Sequence, residues 1–151
     1  MNDIKTDEFF MKEALLEAKH AAGNNEVPVG AVVVLDENIL SRAHNSTISM
    51  NDPTAHAEIL AIREACRIKK NYRIPDCDIY VTLEPCVMCL GAIFQARIRR
   101  LVFGAHDLKT GAVESIMTFP FDRMNHRIDI EAGILSEECG KILRDFFADK
   151  R

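Results

Sequence analysis

Two short stretches carry side chains that could hold a metal and move protons. "PTAHAEI", from Pro53, contains His56 and Glu58; "EPCVMC", from Glu84, contains Cys86 and Cys89. Cysteines three apart at a helix start share one face. The unpaired N–H groups and dipole of that first turn favour thiolate. Two thiolates meeting at one point suit a borderline-soft dication such as zinc. Alone, a C-x-x-C is equally a redox dithiol or two packed cysteines. His56 adds an imidazole and brings the protein donors to three. Structural zinc usually has four donors, whereas catalytic zinc keeps one position for water. With no second C-x-x-C and no H-x-x-x-H, the sequence favours an open, catalytic centre over a closed one. Glu58 then gains a role, because a carboxylate beside an acidic water takes and returns its proton. In isolation it reads instead as a first-turn carboxylate on a helix dipole. Residues i and i+2 face different ways in mid-helix, so His56 and Glu58 converge only at a helix end.

The elements around these stretches place both at such ends. Thr6 caps a predicted helix, "DEFFMKEALLEAKHAAG", which stops at Gly23-Asn24. "PVGAVVVL" is β-branched and nearly all apolar, the pattern of a strand covered on both faces. "DEN" turns the chain into an antiparallel partner, "ILSRAH". After a polar loop, 45–52, Pro53 and Thr54 signal a helix running to about Lys69. "CDIYVTL" is the next strand, and Pro85 is expected in the first turn of a helix ending near Ala96. "RRLVFGA" is a fourth strand and "HRIDIEA" a fifth. A helix capped by Ser136 closes the chain. Between the last two strands, 106–125 has no period and exceeds ordinary loop length, which is common in functional loops. The order αββαβαββα predicts an α/β fold, a three-layer α/β/α sandwich around a mixed five-stranded sheet, as a single domain over 1–151. Sites in such sheets gather where strands end and helices begin.

Composition narrows the classes. Hydrophobic residues at 48% and charged residues at 28% are globular proportions, neither membrane-like nor disordered. No apolar run reaches the ~18 residues of a span, and the polar opening "MNDIKTDEFF" is unlike a secretory signal. A cytoplasmic protein with no membrane partner is expected. The odd number of cysteines, five, argues against a disulfide framework. Cys66, Cys77 and Cys139 sit in no motif and are expected as small buried hydrophobes. A net charge of -4 argues against a broad basic coat for nucleic acid and leaves room for a local basic rim. Arg97, Arg99 and Arg100 are expected on a solvated face.

His56-x-Glu58, then 26 residues, then Pro85-Cys86-x-x-Cys89 matches the zinc nucleobase-deaminase signature. Further stretches extend the likeness: "EVPVGAVVV", "NDPTAHAEI", "IYVTLEPCVMC", "VFGAHDLKTGA", "MNHR" and "GILSEECGKILRDFF". With them the chain resembles the bacterial tRNA-specific adenosine deaminases, of the cytidine/deoxycytidylate deaminase superfamily, over nearly its whole length. The resemblance implies one zinc per subunit on His56, Cys86 and Cys89, with Glu58 as proton shuttle. It implies conversion of adenosine to inosine at the wobble position of a tRNA anticodon loop. Asn45 would bond the extruded base between walls near Val27 and Ala57, and Asp107, Lys109 and Asn125 would touch neighbouring nucleotides. Phe146 and Phe147 would lie towards the RNA, and a homodimer is implied. Capture of one base needs a pocket and a small rim, not a wide basic surface. Each rim residue also has a plainer reading: Asn45 and Asp107 are common turn residues. Leu90 and the N-D-P-T-A-H-A-E stretch are also similar to guanine deaminases of the superfamily, and Glu114 adds a carboxylate unusual for the tRNA enzymes. A deaminase of guanine or another free base or nucleotide, a non-catalytic zinc-binding module and a thiol redox protein are the alternatives.

Overall fold

In the computed structural model, residues 5–150 are described; Met1–Ile4 and Arg151, the outer ends of the expected domain, lie outside the described residues. Their strands form one sheet in the order β2-β1-β3-β4-β5, from β1 (Gly30–Leu35), β2 (Asn38–His44), β3 (Asp78–Leu83), β4 (Arg100–Ala105) and β5 (Asp129–Ala132). β1 runs antiparallel to β2 and β3, while β3, β4 and β5 are mutually parallel. Parallel neighbours require a crossover of a dozen residues or more. Helix α4 (Val87–Gln95) provides it between β3 and β4. Between β4 and β5 the crossover is the long stretch after Ala105, which holds only a short 3-10 turn, Phe121–Arg123. Its Phe119 stacks on Phe94 of α4 at 5.1 Å between ring centres. The length of this loop thus follows from the direction of β5.

Alternation along the strands feeds two cores. Val32, Val34, Tyr80 and Val102 face α1 (Asp7–Gly23) and α5 (Ser136–Ala148), where Phe10, Met11, Ala14 and Cys139 are buried. Ala31, Val33, Ile79, Val81, Leu101 and Phe103 face α3 (Ala57–Lys69) and α4. The architecture is the expected three-layer sandwich around a mixed sheet. α1 lies so close to β1 that a Cβ on Gly30 would come 2.0 Å from the Ala14 carbonyl oxygen.

Boundaries differ from expectation in five places. Pro53 and Thr54 do not start α3; Asp52 Oδ1 accepts bonds from the Thr54 N–H and hydroxyl at 2.8 and 2.7 Å, forming a turn, and His56 is the N-cap. Pro85 precedes α4 rather than opening it, because its carbonyl accepts the Ala112 N–H, and Cys86 is the N-cap. The polar loop contains a one-turn helix, α2 (Thr47–Met50). β5 begins three residues after His126, whose Nε2 bonds the Ile98 carbonyl instead. Ser136 is the first residue of α5, preceded by Leu135 at a φ of 55°.

The arginine cluster is tied down. Arg99 forms a two-pronged bond with Asp78, and Arg100 forms one with Asp7 on α1. Cys77 and Cys139 are buried and Cys66 is half-buried. Burial pushes the Cys77 thiol up to about 11 and the Cys139 thiol up to about 12. Among the described residues no helix is long and apolar enough to cross a membrane.

Candidate active site

The two chemical stretches meet because β3 leads into α4 directly beside the start of α3. His56 and Cys86 are both N-caps in extended conformation, with φ/ψ of -76/153° and -78/174°. A helix cap departs from the helical path, so His56 turns towards the cysteines while Glu58 occupies the second helical position. The geometry that mid-helix spacing forbids is met at the tip.

His56 Nδ1 lies 3.7 Å from Cys86 Sγ and 3.5 Å from Cys89 Sγ. The three donor atoms all fall within 4.8 Å of one another. Zinc–nitrogen and zinc–sulfur bonds of their usual lengths make the edges of a tetrahedron roughly 3.5–3.6 Å long. The donor set and its spacing therefore fit zinc. The cysteines share one negative charge. Cys86 is brought down to about 4, chiefly by a hydrogen bond from Cys89, with His56 contributing a second. Cys89 is pushed far up by that same bond and by burial. His56 is raised by its bond to Cys86. Glu58, only 4% exposed, is pushed up to about 7, mainly by burial and in part by the charge on Cys86.

A cavity of about 280 Å³ opens over these groups. Val27, Asn45, Ala57 and Asp107 line it with His56, Glu58 and Cys86. Lys109 is exposed outside this lining, on the same turn as Asp107. Asn125 lies in a separate depression with Met124 and Arg127. Phe146 sits beside Ala22 and Asn25 near the end of α1, in the opposite layer, and Phe147 is half exposed. Asp107 also caps its own turn, accepting the N–H groups of Lys109 and Thr110 at 3.0 and 3.1 Å. The Glu114 carboxylate is bonded by His106.

The sequence reading missed Val29, Thr47, Leu83 and Thr110 in the wall. It also missed two buried carboxylates that hold the rims. Glu84 accepts the N–H groups of Asp107, Val113, Glu114 and Ser115, and the Ser115 hydroxyl. Burial opposes its charge, but the Ser115 hydroxyl and these N–H groups outweigh burial and keep it below the usual carboxylate range. Glu26 accepts the Ile48 and Ser49 N–H groups at 3.1 and 2.7 Å, fixing α2. Burial again opposes the charge and the N–H groups prevail. A Glu directly before Pro-Cys was the available signal for Glu84; Glu26 carried none.

Sheet order, two helix tips and a His/Cys/Cys set with a buried glutamate define a deaminase of the cytidine deaminase-like fold. The profile of the MafB19-like deaminase family matches residues 4–151. The tRNA-specific adenosine deaminase of Agrobacterium fabrum is 50% identical over 94% of this chain and 94% of its own length. A solved structure from work on A-to-I editing by tRNA:A34 deaminases at the wobble position superposes with a TM-score of 0.85, at 50% identity over 89% of this chain and 98% of its own. A guanine deaminase from Bacillus subtilis is 34% identical, with a TM-score of 0.65, over 76% of this chain and 84% of its own. The chain belongs to the MafB19-like deaminases and, among them, to the tRNA-specific adenosine deaminase family.

Proposed function

We propose that this chain, folded as a single domain, converts adenosine to inosine at the wobble position of a tRNA anticodon. It would do so as a cytoplasmic, homodimeric, zinc-dependent hydrolase. One observation carries the reading: a buried carboxyl stands beside a zinc-type donor set at the floor of a cavity near the small end of ligand-pocket volumes. Half the residues are shared with a tRNA-specific adenosine deaminase.

His56, Cys86 and Cys89 would hold one zinc per subunit. When bound, zinc supplies the acidity that makes water a nucleophile near neutral pH. Glu58 does the proton work. Its carboxyl is poised near neutrality, so it can take one proton from the attacking water and give it to the ring nitrogen, then take the second from the oxygen now on C6 and give it to the leaving amine. The balance is one water oxygen gained at C6 and one ammonia released. Asn45, at the cavity wall, offers an amide donor and acceptor to the base edge, and Val27 and Ala57 exclude water from its faces. Asp107 and Lys109, on the rim turn, and Asn125, beyond it, are proposed to meet the flanking nucleotides. The net charge of -4 accords with a contact confined to this rim.

Incubation with an anticodon stem-loop bearing adenosine, and separately with guanine, tests the reading. Inosine from the stem-loop is expected. Xanthine from guanine with no inosine would transfer the chain to the guanine deaminases, the reading that Leu90 favours. Light scattering on the purified protein, expected to give twice the 17.0 kDa chain mass, tests the homodimer.

A further inference from the structure

A second group of metal-ligating side chains lies on the far side of the sheet from His56. Glu17 and His20 are one turn apart on α1 and therefore share a face. His44 is the last residue of β2 and pairs across the ladder with Gly30. At Gly30 the helix lies close on the sheet, and a Cβ there would come 2.8 Å from Glu17 Cβ. That close approach fixes Glu17 over the end of β2, beside His44.

Both imidazoles present Nδ1 to one carboxylate. His44 Nδ1 is 3.3 Å from Glu17 Oε1, and His20 Nδ1 is 3.6 Å from Glu17 Oε2. The second separation is too long for a hydrogen bond and the first is at the outer limit. Zinc–nitrogen and zinc–oxygen bonds give tetrahedral edges of roughly 3.3–3.5 Å, which the His44 separation meets and the His20 separation, to the other carboxylate oxygen, slightly exceeds. All three donor atoms lie within 4.8 Å of one another, as do those of the His56 centre. Glu17 has only 9% of its side chain exposed, whereas His20 has 65%. The carboxyl is thus a largely buried acceptor that His44 already meets, with an open side at His20 through which an ion and its waters could enter. Its nearest guanidinium stands further off. Arg42 Nη1 stays 4.0 Å from Glu17, while its Nη2 leans on Glu13 at 3.5 Å.

We propose that Glu17, His20 and His44 form a second metal site, for a first-row transition dication bound by two imidazoles and one carboxylate. The ion joins α1 to β2 one residue before Asn45 at the cavity wall. It belongs to this chain's own residues and does not depend on the deaminase reading.

Cobalt(II) titrated into the metal-free protein tests the proposal. Sulfur-to-cobalt charge transfer marks the cysteine centre, whereas the second centre has no sulfur. The expected result is a further equivalent that adds ligand-field absorption without charge transfer. His20→Gln and His44→Gln should each weaken that equivalent by at least ~10-fold and leave the sulfur-linked one unchanged. Arg42→Ala should tighten it, because the neighbouring positive charge is removed. Saturation with no sulfur-free equivalent overturns the site, as does a further equivalent of undiminished affinity in both histidine variants.

Discussion

Glu58 joins two demands that pull against each other: burial, which favours the proton, and proximity to the donor set, which uses it. Its pKa is pushed up to about 7 from an ordinary 4.5. The folded chain therefore binds this proton more tightly than the unfolded chain does. Its effect favours folding fully below about 4.5 and is lost as pH rises through the window to about 7. The difference amounts to ~3 kcal/mol at most. Glu58→Gln has no such dependence. In metal-free protein, the wild-type melting temperature is expected to fall relative to Glu58→Gln as pH rises across that window; parallel curves would mean that burial does not tax the charge. In the metal-loaded protein the same variant should retain its zinc and lose turnover by ~10²–10⁴-fold. Loss of the metal would instead make Glu58 a ligand. The residue types at this centre were legible in the sequence because zinc chemistry restricts them to a short menu with short spacings.

At the scale of elements, the sequence predicted that two helix tips would meet but not where each helix starts. Proline suggested the first turn, yet the Asp52–Thr54 turn and the Ala112–Pro85 bond shift both starts inward and leave His56 and Cys86 as caps. The shift is functional, since a cap side chain can face across a tip where a helical one cannot. Glu84 was illegible for a different reason: its partners are backbone N–H groups from 23 to 31 residues away, and a backbone group leaves no mark in a sequence. It holds the rim turn that carries Asp107 and Thr110. Glu84→Gln would set an amide against those N–H groups, at a cost of ~1–3 kcal/mol. The expected outcome is a raised KM for the stem-loop, with kcat changed far less and zinc stoichiometry intact. Gly111→Ala should act in the same direction, because its Cβ would sit 2.4 Å from the Glu84 carboxylate. Equal losses in kcat and kcat/KM would assign the rim to the transition state rather than to RNA docking.

Across the whole molecule, separate places are joined by carboxylates that the fold keeps ionised. Asp7 joins α1 to β3 and β4: hydrogen bonds from Arg100 hold its carboxyl below the usual carboxylate range, burial opposes them, and the Tyr80 hydroxyl adds a further bond. Glu26 and Glu84 fix the two rims of the cavity, and they too are held below the ordinary value. For all three, the folded chain binds the proton more weakly than the unfolded chain. Their contribution to stability is complete above the ordinary values of 3.8 for Asp7 and 4.5 for the glutamates, and drains away as pH falls through the depressed ones. Glu58 acts in the opposite sense in a higher window, so it must be removed before the acid limb can be read. Metal-free Glu58→Gln protein is expected to hold its melting temperature down to about pH 4.5 and then to lose it steeply. Adding Asp7→Asn should lower that plateau by a constant amount above pH 3.8, with the gap between the two proteins closing below it. A gap that stays constant into the acid limb would show that the Asp7–Arg100 tie carries no net proton linkage, and that other carboxylates set the acid limit of this fold.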